Sequence, residues 1–182
     1  MRRKSFGFTL LEAIVVLAIA SIAIGVAVPA FAKAMASTRH VLARTDLVEV
    51  LMTAGTHALA TDTDVVLCPS GNGATCDRGQ TQWSRGWIAF ADLDGNRQRS
   101  GRETLLRTHG AVAGVGIRSS QGRTLVVFHP RGDAAGTNLT FTLCDSRGAQ
   151  AASTIVMGNS GRWRIGQAKA EAAARCIEEG WK

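Results

Sequence analysis

The sequence predicts an α+β fold in which a long N-terminal helix, first membrane-spanning and then amphipathic, packs on an antiparallel β-sheet domain. An unbroken apolar stretch near the N-terminus is followed by a segment with helical three- and four-residue spacing. After residue 60 the pattern changes to short apolar runs separated by Gly, Asn and Asp. The 182 residues include 20 Gly and no Tyr, which suits a turn-rich β domain better than a helical bundle.

The N-terminal segment begins MRRKSFG and continues FTLLEAIVVLAIASIAIGVAVPAFA. Residues 8–28 carry a single charge, Glu12, and these 21 residues span the ~30 Å hydrocarbon core of a bilayer at a helical rise of ~1.5 Å. Three basic residues precede the stretch and favour a cytoplasmic N-terminus, so the rest of the chain faces outward. We therefore expect a single transmembrane helix over residues 8–32.

The apolar N-terminal segment has two ordinary interpretations, a signal peptide and a plain membrane anchor. A secretory signal peptide would use Ala30 and Ala32 as its small-residue cleavage site, but its apolar region is usually only about 7–15 residues long. A plain transmembrane anchor is the other. Glu12 argues against both, because an ionised carboxylate near hydrocarbon is costly unless another group pairs with it.

Cleavage between Gly7 and Phe8 would remove that cost. It creates a positive α-amine four residues before Glu12, and in a bundle of helices the amine of one subunit can neutralise the carboxylate of its neighbour. Subunits then stack only where amine meets carboxylate, so the buried charge sets their register.

Basic residues, Gly7, the run Phe8-Thr9-Leu10-Leu11-Glu12 and a long apolar helix resemble the prepilin signature of type IV pilins and type II secretion pseudopilins. The resemblance implies that residues 1–7 are a leader cut by a prepilin peptidase and that Phe8 is N-methylated. It also implies a type IV pilin-like fold. The helix is then expected to pack against other pilins or pseudopilins in a filament core, after a stage in the bacterial inner membrane with the C-terminal domain in the periplasm.

Pro29 is expected to end or kink the spanning helix, because it lacks an N–H for the helical ladder. Residues 33–60 contain no Pro and one Gly, and they predict an amphipathic stalk helix that lays one face on the globular domain. The predicted face recurs at three- and four-residue steps and comprises Thr38, Val41, Leu42, Thr45, Val48, Met52, Gly55 and Leu59.

Residues 61–182 are expected to form one globular, β-rich domain with two disulfides. Eight short strands are predicted, at 65–68, 86–90, 104–107, 112–117, 124–128, 138–144, 153–157 and 162–165. The tail at 167–179 is rich in Ala and charged residues and predicts a short helix.

Four cysteines, Cys68, Cys76, Cys144 and Cys176, lie downstream of the export segment. An even count in that context favours two disulfides in an oxidising compartment, with three pairings open. The pair Cys68–Cys76 would close a small loop, and Cys144–Cys176 would tie the tail to a strand. A zinc site is the rival, but the sequence has no CxxC pair and no nearby His pair.

The formal net charge is +7, and it falls to +4 without Arg2, Arg3 and Lys4 of the leader. This mildly basic balance permits a polyanionic partner without requiring one. From Arg107 onward, 10 basic residues face 5 acidic ones, so the excess lies toward the C-terminus.

One run of the sequence extends from Cys68 to Cys76 and continues with Trp83, Gly86-Trp87-Ile88-Ala89-Phe90, Asp92, Asp94, Gly95 and Gly101-Arg102-Glu103. It resembles the GspH/FimT subgroup of minor pilins and pseudopilins. The resemblance covers the N-terminal helix, extends to about Arg107 and returns near Gly161. It implies a structural subunit that helps to initiate or cap a type IV pilus-like filament. The alternative is a type II secretion pseudopilus subunit that acts in protein export without binding DNA.

Gly161-Arg162-Trp163-Arg164 is the most informative C-terminal motif. On a strand, Arg162 and Arg164 share one face and Trp163 occupies the other, so two guanidinium groups about 7 Å apart can each grip a phosphate oxygen. The motif resembles the Gly-Arg-x-Arg motif of FimT-type minor pilins, which implies binding of double-stranded DNA in natural transformation. Lys169 and Arg175 could extend the patch. The alternative is a solvated arginine pair or one that meets acidic partners in the filament.

The stretch from Asp92 to Glu103 has oxygen-bearing side chains at the first, third, fifth and twelfth positions, which is the spacing of an EF-hand calcium loop. Arg97 stands at the sixth position, where the sharp turn favours Gly, and Arg99 and Arg102 add positive charge. These features favour a solvated hairpin loop, and no metal is predicted.

No catalytic motif is recognisable. Gly158-Asn159-Ser160-Gly161 lacks the Gly-x-Ser-x-Gly pattern of a nucleophile elbow, and the four histidines are scattered along the chain. We therefore predict a protein that is not an enzyme and needs no cofactor.

Overall fold

The computed structural model describes residues 9–179. Contacts divide the chain into two compact units, Met1–Met35 and Ala36–Lys182. The described elements are α1 (Leu10–Thr61), β1 (Asp64–Pro69), β2 (Trp87–Asp92), β3 (Leu105–His109), β4 (Val115–Ser119), β5 (Val126–Phe128), β6 (Leu139–Asp145), a 3₁₀ turn (Ala149–Ala151), β7 (Ser153–Met157), β8 (Trp163–Gln167) and α2 (Ala170–Glu179). The α+β class, all eight predicted strands and the tail helix are confirmed, with boundaries shifted by a few residues.

Pro29 lies inside α1 and does not end it, so of the two expected effects, a helix end or a kink, the helix end is excluded. A proline removes one N–H and crowds the preceding turn, but the hydrogen bonds of the turns on either side remain. In an apolar helix those bonds are the only partners that the backbone has, which favours continuation through the proline.

The strands form two antiparallel sheets, where the sequence analysis expected one. The first sheet has the order β3-β2-β1-β5 and the second has the order β4-β6-β7-β8. The chain passes back and forth between the sheets. The short β5 pairs with β1 in the first sheet, as in Val66 opposite Val127, whereas β4, which precedes it in the chain, pairs with β6 in the second. These pairings are long-range, so strand patterns along the chain do not reveal them.

The inner faces of both sheets and one face of α1 build a single core. Most of the predicted face lies outside it, since Val41, Leu42, Met52 and Leu59 are 45–58% exposed, but the predicted Val48 packs against the core. The buried face consists of Ala36, His40, Ala43, Leu47, Val50, Leu51, Ala54 and Ala58. Small alanine side chains let the helix approach the sheets closely, and Leu47, Val50 and Leu51 are buried beside them, while other large apolar residues lie on the opposite face.

His40 ties this helix to the second sheet. Its Nδ1 lies 2.7 Å from Oδ2 of Asp145 and its Nε2 lies 2.7 Å from Oγ of Ser153. Arg147 holds the same Asp145 carboxylate through Nε and Nη2 at 2.9 and 2.8 Å. The order Ser–His–Asp is that of a hydrolase triad. Here, however, the imidazole is only 3% exposed and the carboxylate is shared with an arginine, so the contacts act as a structural clamp.

This clamp predicts a pH dependence of stability. Burial lowers the pKa of His40. The hydrogen bond and charge of Asp145 act to raise it, and the charges of Arg147 and Arg44 lower it further. The unfolded chain therefore takes up a proton below about pH 6.5 more readily than the folded one, and stability falls as the pH drops through that value toward the folded pKa. Thermal unfolding between pH 8 and 5, followed by tryptophan fluorescence, should show this loss.

His40→Asn is the informative variant, because the amide can still donate to Asp145 but does not titrate. We expect it to flatten the melting temperature across this pH range. An equally steep decline in the variant would assign the dependence to another group.

The carboxyl of Asp145 also titrates, at lower pH. Burial acts to raise its pKa, but the hydrogen bonds and charge of Arg147 outweigh burial and lower the pKa of this carboxyl. It therefore adds a second loss only below about pH 4.

Two disulfides fix the outer layers: Cys68–Cys76 closes a short loop and Cys144–Cys176 joins β6 to α2. The bonded residues are separated by 8 and 32 positions, respectively. By loop-closure entropy they stabilise the fold by about 2.5 and about 3.5 kcal/mol. The second bond buries Ala173 of α2 with Ala152 in a small cluster, so α2 is held firmly on the outer face of the second sheet.

Candidate assembly segment and nucleic-acid interface

The first turn of α1 places Glu12 at the third helical position. Thr9 acts as its cap, because Thr9 Oγ1 accepts a hydrogen bond from the Glu12 N–H at 3.3 Å and the Thr9 carbonyl accepts one from Ala13 at 3.1 Å. Thr-x-x-Glu is the pattern of a capping box, a signal that the sequence analysis missed. Gly7 and Phe8, the predicted cleavage and methylation positions, lie outside the described residues.

The helix that follows Glu12 is apolar on all sides. Among the described residues, α1 contains a stretch that is long and apolar enough to cross a membrane, with a mean hydropathy of 2.6, and none of that stretch is buried within the chain. Its large exposed side chains are Leu10, Leu11, Ile14, Val15, Val16, Leu17, Ile19, Ile22, Ile24, Val26, Val28 and Phe31. Such a surface is stable only in lipid or against other apolar helices.

A second candidate surface lies on the outer face of the β4-β6-β7-β8 sheet. A groove of about 890 Å³ runs between this face and α2. Along each strand, the residues that line the floor of the groove alternate with residues that face the core. The floor residues are Thr140, Thr142, Thr154, Val156, Arg164 and Gly166. The opposite wall of the groove is formed by Lys169, which immediately precedes α2, and by Ala172, Arg175 and Glu179 of α2.

Arg162 and Arg164 are exposed, whereas Trp163 between them is half-buried and packs against the main core. This is the alternation expected of a strand. Arg164 pairs with Val156 of β7 and lines the groove, while Arg162 immediately precedes β8 and is not part of the groove lining. Within residues 9–179, neither arginine forms an ion pair.

Gly161 sets the entry into β8. Its φ is 73°, in the left-handed region, and a Cβ at this position would lie 2.6 Å from the carbonyl oxygen of Gly132. Any other residue would therefore strain the backbone and collide with a neighbouring turn. The glycine therefore allows the tight turn that precedes Arg162, and the position of Arg162 depends on Gly161.

Lys169 and Arg175, which the sequence analysis added as extensions of the patch, line the same groove as Arg164. Neither makes an ion pair within the described part of the chain. Arg118 of β4 also lines the groove and was missed, because 44 positions separate it from Arg162 in the sequence. It differs from the others in being paired with Glu179 and donating to Thr81 Oγ1 at 3.0 Å. Among the residues that the structure describes, three cations without an ion pair thus line one groove, and Arg162 lies two positions before one of them in the chain.

Carboxylates gather in the loop between β2 and β3. One oxygen from each of Asp92, Asp94 and Glu103 lies within 4.8 Å of the others. Burial raises the pKa of Asp92, with further raising by the charges of Glu103 and Asp94, against a hydrogen bond from the Arg97 N–H. These residues lie in the stretch for which the sequence favours a solvated hairpin.

Two protein families match this sequence. The family described as Type II transport protein GspH matches residues 43–161, and the Prokaryotic N-terminal methylation motif matches residues 2–28. The second match includes Gly7, Phe8 and Glu12, whereas the first ends just before Arg162. Among curated proteins, none matches the chain.

Two crystal structures share this fold. Both are of the type IV minor pilin FimU from Pseudomonas aeruginosa, in two crystal forms, and both are 15% identical to this chain. The TM-scores are 0.51 and 0.52, over 70% of this chain and 86% or 90% of the FimU chain. At this identity the similarity establishes the pilin fold alone.

Proposed function

This chain belongs to the GspH family of minor pilins and pseudopilins, and from that membership we propose that it helps to initiate or cap a type IV pilus-like filament. Its proposed path is that of a prepilin. It is held in the bacterial inner membrane by residues 8–32 with the C-terminal domain in the periplasm, cut after Gly7 by a prepilin peptidase, methylated at Phe8 and then packed into the filament.

The observation that supports this proposal is the Glu12 carboxylate at the start of the apolar stretch of α1, none of which is buried within the described chain. The apolar surface needs lipid or neighbouring helices, and Glu12 needs a cation when water is excluded. A neighbouring subunit with a free Phe8 amine supplies both. The outer face of the stalk, with Val41, Leu42 and Met52 exposed, offers further apolar area for the same neighbours.

Intact-mass analysis of the protein purified from membranes tests the processing step. The expected mass is that of residues 8–182 plus one methyl group. Gly7→Leu, which blocks a cleavage site that requires a small residue, should leave the chain at full length and unmethylated. A wild-type chain that begins at Met1 would contradict the proposal.

Double-stranded DNA is the proposed ligand of the C-terminal surface. Within residues 9–179, Arg164, Lys169 and Arg175 line the groove without ion pairs, and Arg162 precedes the strand that carries Arg164. Such cations suit phosphate oxygens. So few phosphate contacts give weak, salt-sensitive and sequence-independent binding. A gel shift at low salt with the full chain in detergent micelles tests it, and absence of any shift would remove this function.

The matching family is named for type II transport, so the alternative is a pseudopilus subunit of type II secretion that contacts exported proteins and binds no DNA. Co-purification separates the two assignments. Recovery with surface pili supports the pilus, whereas recovery only with secretion pseudopilins supports the alternative.

A further inference from the structure

The loop between β2 and β3 brings the acidic residues of the stretch 92–103 together. One carboxylate oxygen from each of Asp92, Asp94 and Glu103 lies within 4.8 Å of the other two. Calcium binds oxygen ligands at about 2.3–2.6 Å, so two ligands on opposite sides of one ion are about 5 Å apart. The three oxygens are therefore close enough to share a single ion.

Two of these carboxylates are buried, which is unusual for acidic side chains without a cation. Asp92 and Glu103 are each only 4% exposed. Glu103 accepts hydrogen bonds from the N–H groups of Leu93 and Ser100, at 3.1 and 2.6 Å. Asp92 uses Oδ2 to accept one from the Arg97 N–H at 3.0 Å. Within the described residues, its Oδ1 is buried and has no hydrogen-bond donor.

A buried carboxylate oxygen without a hydrogen-bond donor is typical of a cation-binding site. Burying an ionised oxygen without a donor costs several kcal/mol in general, and two further carboxylates beside it increase the repulsion. The three arginines of the loop do not relieve it. In residues 9–179 none of them forms an ion pair with these carboxylates, and Arg99 instead donates to the Ala74 carbonyl at 3.0 Å.

The backbone conformation at Arg97 is compatible with a calcium loop, although the sequence has no Gly there. Arg97 occupies the sixth loop position, where an EF-hand loop has Gly, yet its φ is 58°. The residue thus adopts the left-handed conformation that the turn requires despite its side chain. The first, third and fifth positions are then linked in order, as Asp94 Oδ1 accepts from the Asn96 N–H at 3.1 Å and Asn96 Oδ1 from the Gln98 N–H at 2.7 Å.

We propose that Asp92, Asp94 and Glu103 bind one calcium ion in the loop between β2 and β3, with the Asn96 side chain and the Gln98 carbonyl as further oxygen ligands. Calcium fits better than magnesium because these ligands come from an irregular loop, and magnesium requires near-octahedral geometry and retains its waters. Three arginines in the same loop do not pair with the carboxylates but place positive charge near the bound ion, so the affinity is weak, with a dissociation constant of about 10⁻⁴ M.

Equilibrium dialysis and thermal unfolding of the full chain in detergent micelles, after removal of divalent cations with EDTA, test the site. We expect one calcium ion per chain. At 10 mM CaCl₂, about 100 times the expected dissociation constant, the melting temperature should rise by about 5–10 °C. MgCl₂ at 10 mM, and NaCl at matched ionic strength, should give less than a fifth of that shift.

Asp94→Asn should weaken calcium binding at least tenfold, and Glu103→Gln should remove the calcium-dependent shift. Asp94 is exposed, so its variant is expected to fold even if the Glu103 variant does not. Glu178→Gln, an exposed position on α2, is the matched control and should keep the wild-type shift. The proposal is overturned if calcium raises the melting temperature no more than magnesium or NaCl does, or if Asp94→Asn binds calcium as tightly as the wild type.

Discussion

Replacing Glu12 with Gln is expected to abolish incorporation into filaments, while leaving the amount of protein in the membrane unchanged. In an assembled helix bundle the Glu12 carboxylate and the Phe8 amine of a neighbouring subunit form an ion pair away from water. Removing one partner leaves the other charge buried and unpaired, which costs about 3–5 kcal/mol. That corresponds to a loss of at least about 100-fold in the affinity of a subunit for the filament. Immunoblots of sheared filament fractions, normalised to membrane fractions, measure it.

Two matched variants separate charge from helix capping. Glu12 also stands in a capping box with Thr9, so a defect of Glu12→Ala alone could arise from a frayed first turn. Gln preserves the capping pattern and removes only the charge. Thr9→Ala does the opposite, at a cost of about 1 kcal/mol to the helix end. We expect Thr9→Ala to assemble and Glu12→Gln to fail, and the reverse result would assign Glu12 a capping role only.

The strands could be predicted from the sequence because their signals are local. Val65 to Cys68 and Ser153 to Met157 alternate or run apolar between turn residues, and the structure places strands there. Sheet membership could not be predicted, since it depends on pairings between residues far apart in the chain. Leu67 of β1, for example, lies between Ala89 of β2 and Val126 of β5.

The stalk shows how a periodic pattern can indicate the wrong face. Counting large apolar residues selects Val41, Met52 and Leu59, which are exposed. The buried face combines small residues such as Ala43 and Ala54, which permit close packing, with the large apolar Leu47 and Leu51, so the number of large apolar residues alone does not identify it. A protein that must also pack against copies in a filament has reason to keep large apolar residues outward.

The candidate functional residues also divide into those marked by a local sequence pattern and those brought together only by the fold. Arg162 and Arg164 were accessible to sequence analysis because both belong to one short motif. Arg118, in contrast, reaches the groove only through the pairing of β4 with β6, where it stands opposite Thr142. The acidic loop was visible as a spacing, but the burial of Asp92 was not, because it depends on how the loop folds back over its own strand.

Replacing Arg162 and Arg164 together with Ala is expected to weaken binding to duplex DNA by about 100-fold. Each guanidinium that contacts a phosphate contributes about 1.5 kcal/mol, and two such contacts together amount to about two powers of ten. The number of released counterions should fall as well, so the slope of log affinity against log salt should decrease by about 1.8. Fluorescence anisotropy of a labelled duplex from 25 to 200 mM salt, with the full chain in micelles, measures both quantities.

Net charge alone would also weaken binding, and a matched double variant isolates that effect. Arg78→Ala with Arg107→Ala removes two exposed arginines that do not line the groove. This control should lose less than threefold in affinity. Arg162→Lys with Arg164→Lys keeps the charge but not the forked geometry, and it should fall between the control and the alanine pair. If the alanine pair and the control bind equally, DNA contacts lie elsewhere. If the alanine pair loses affinity with an unchanged salt slope, the arginines act on the fold of β8 and not on phosphate.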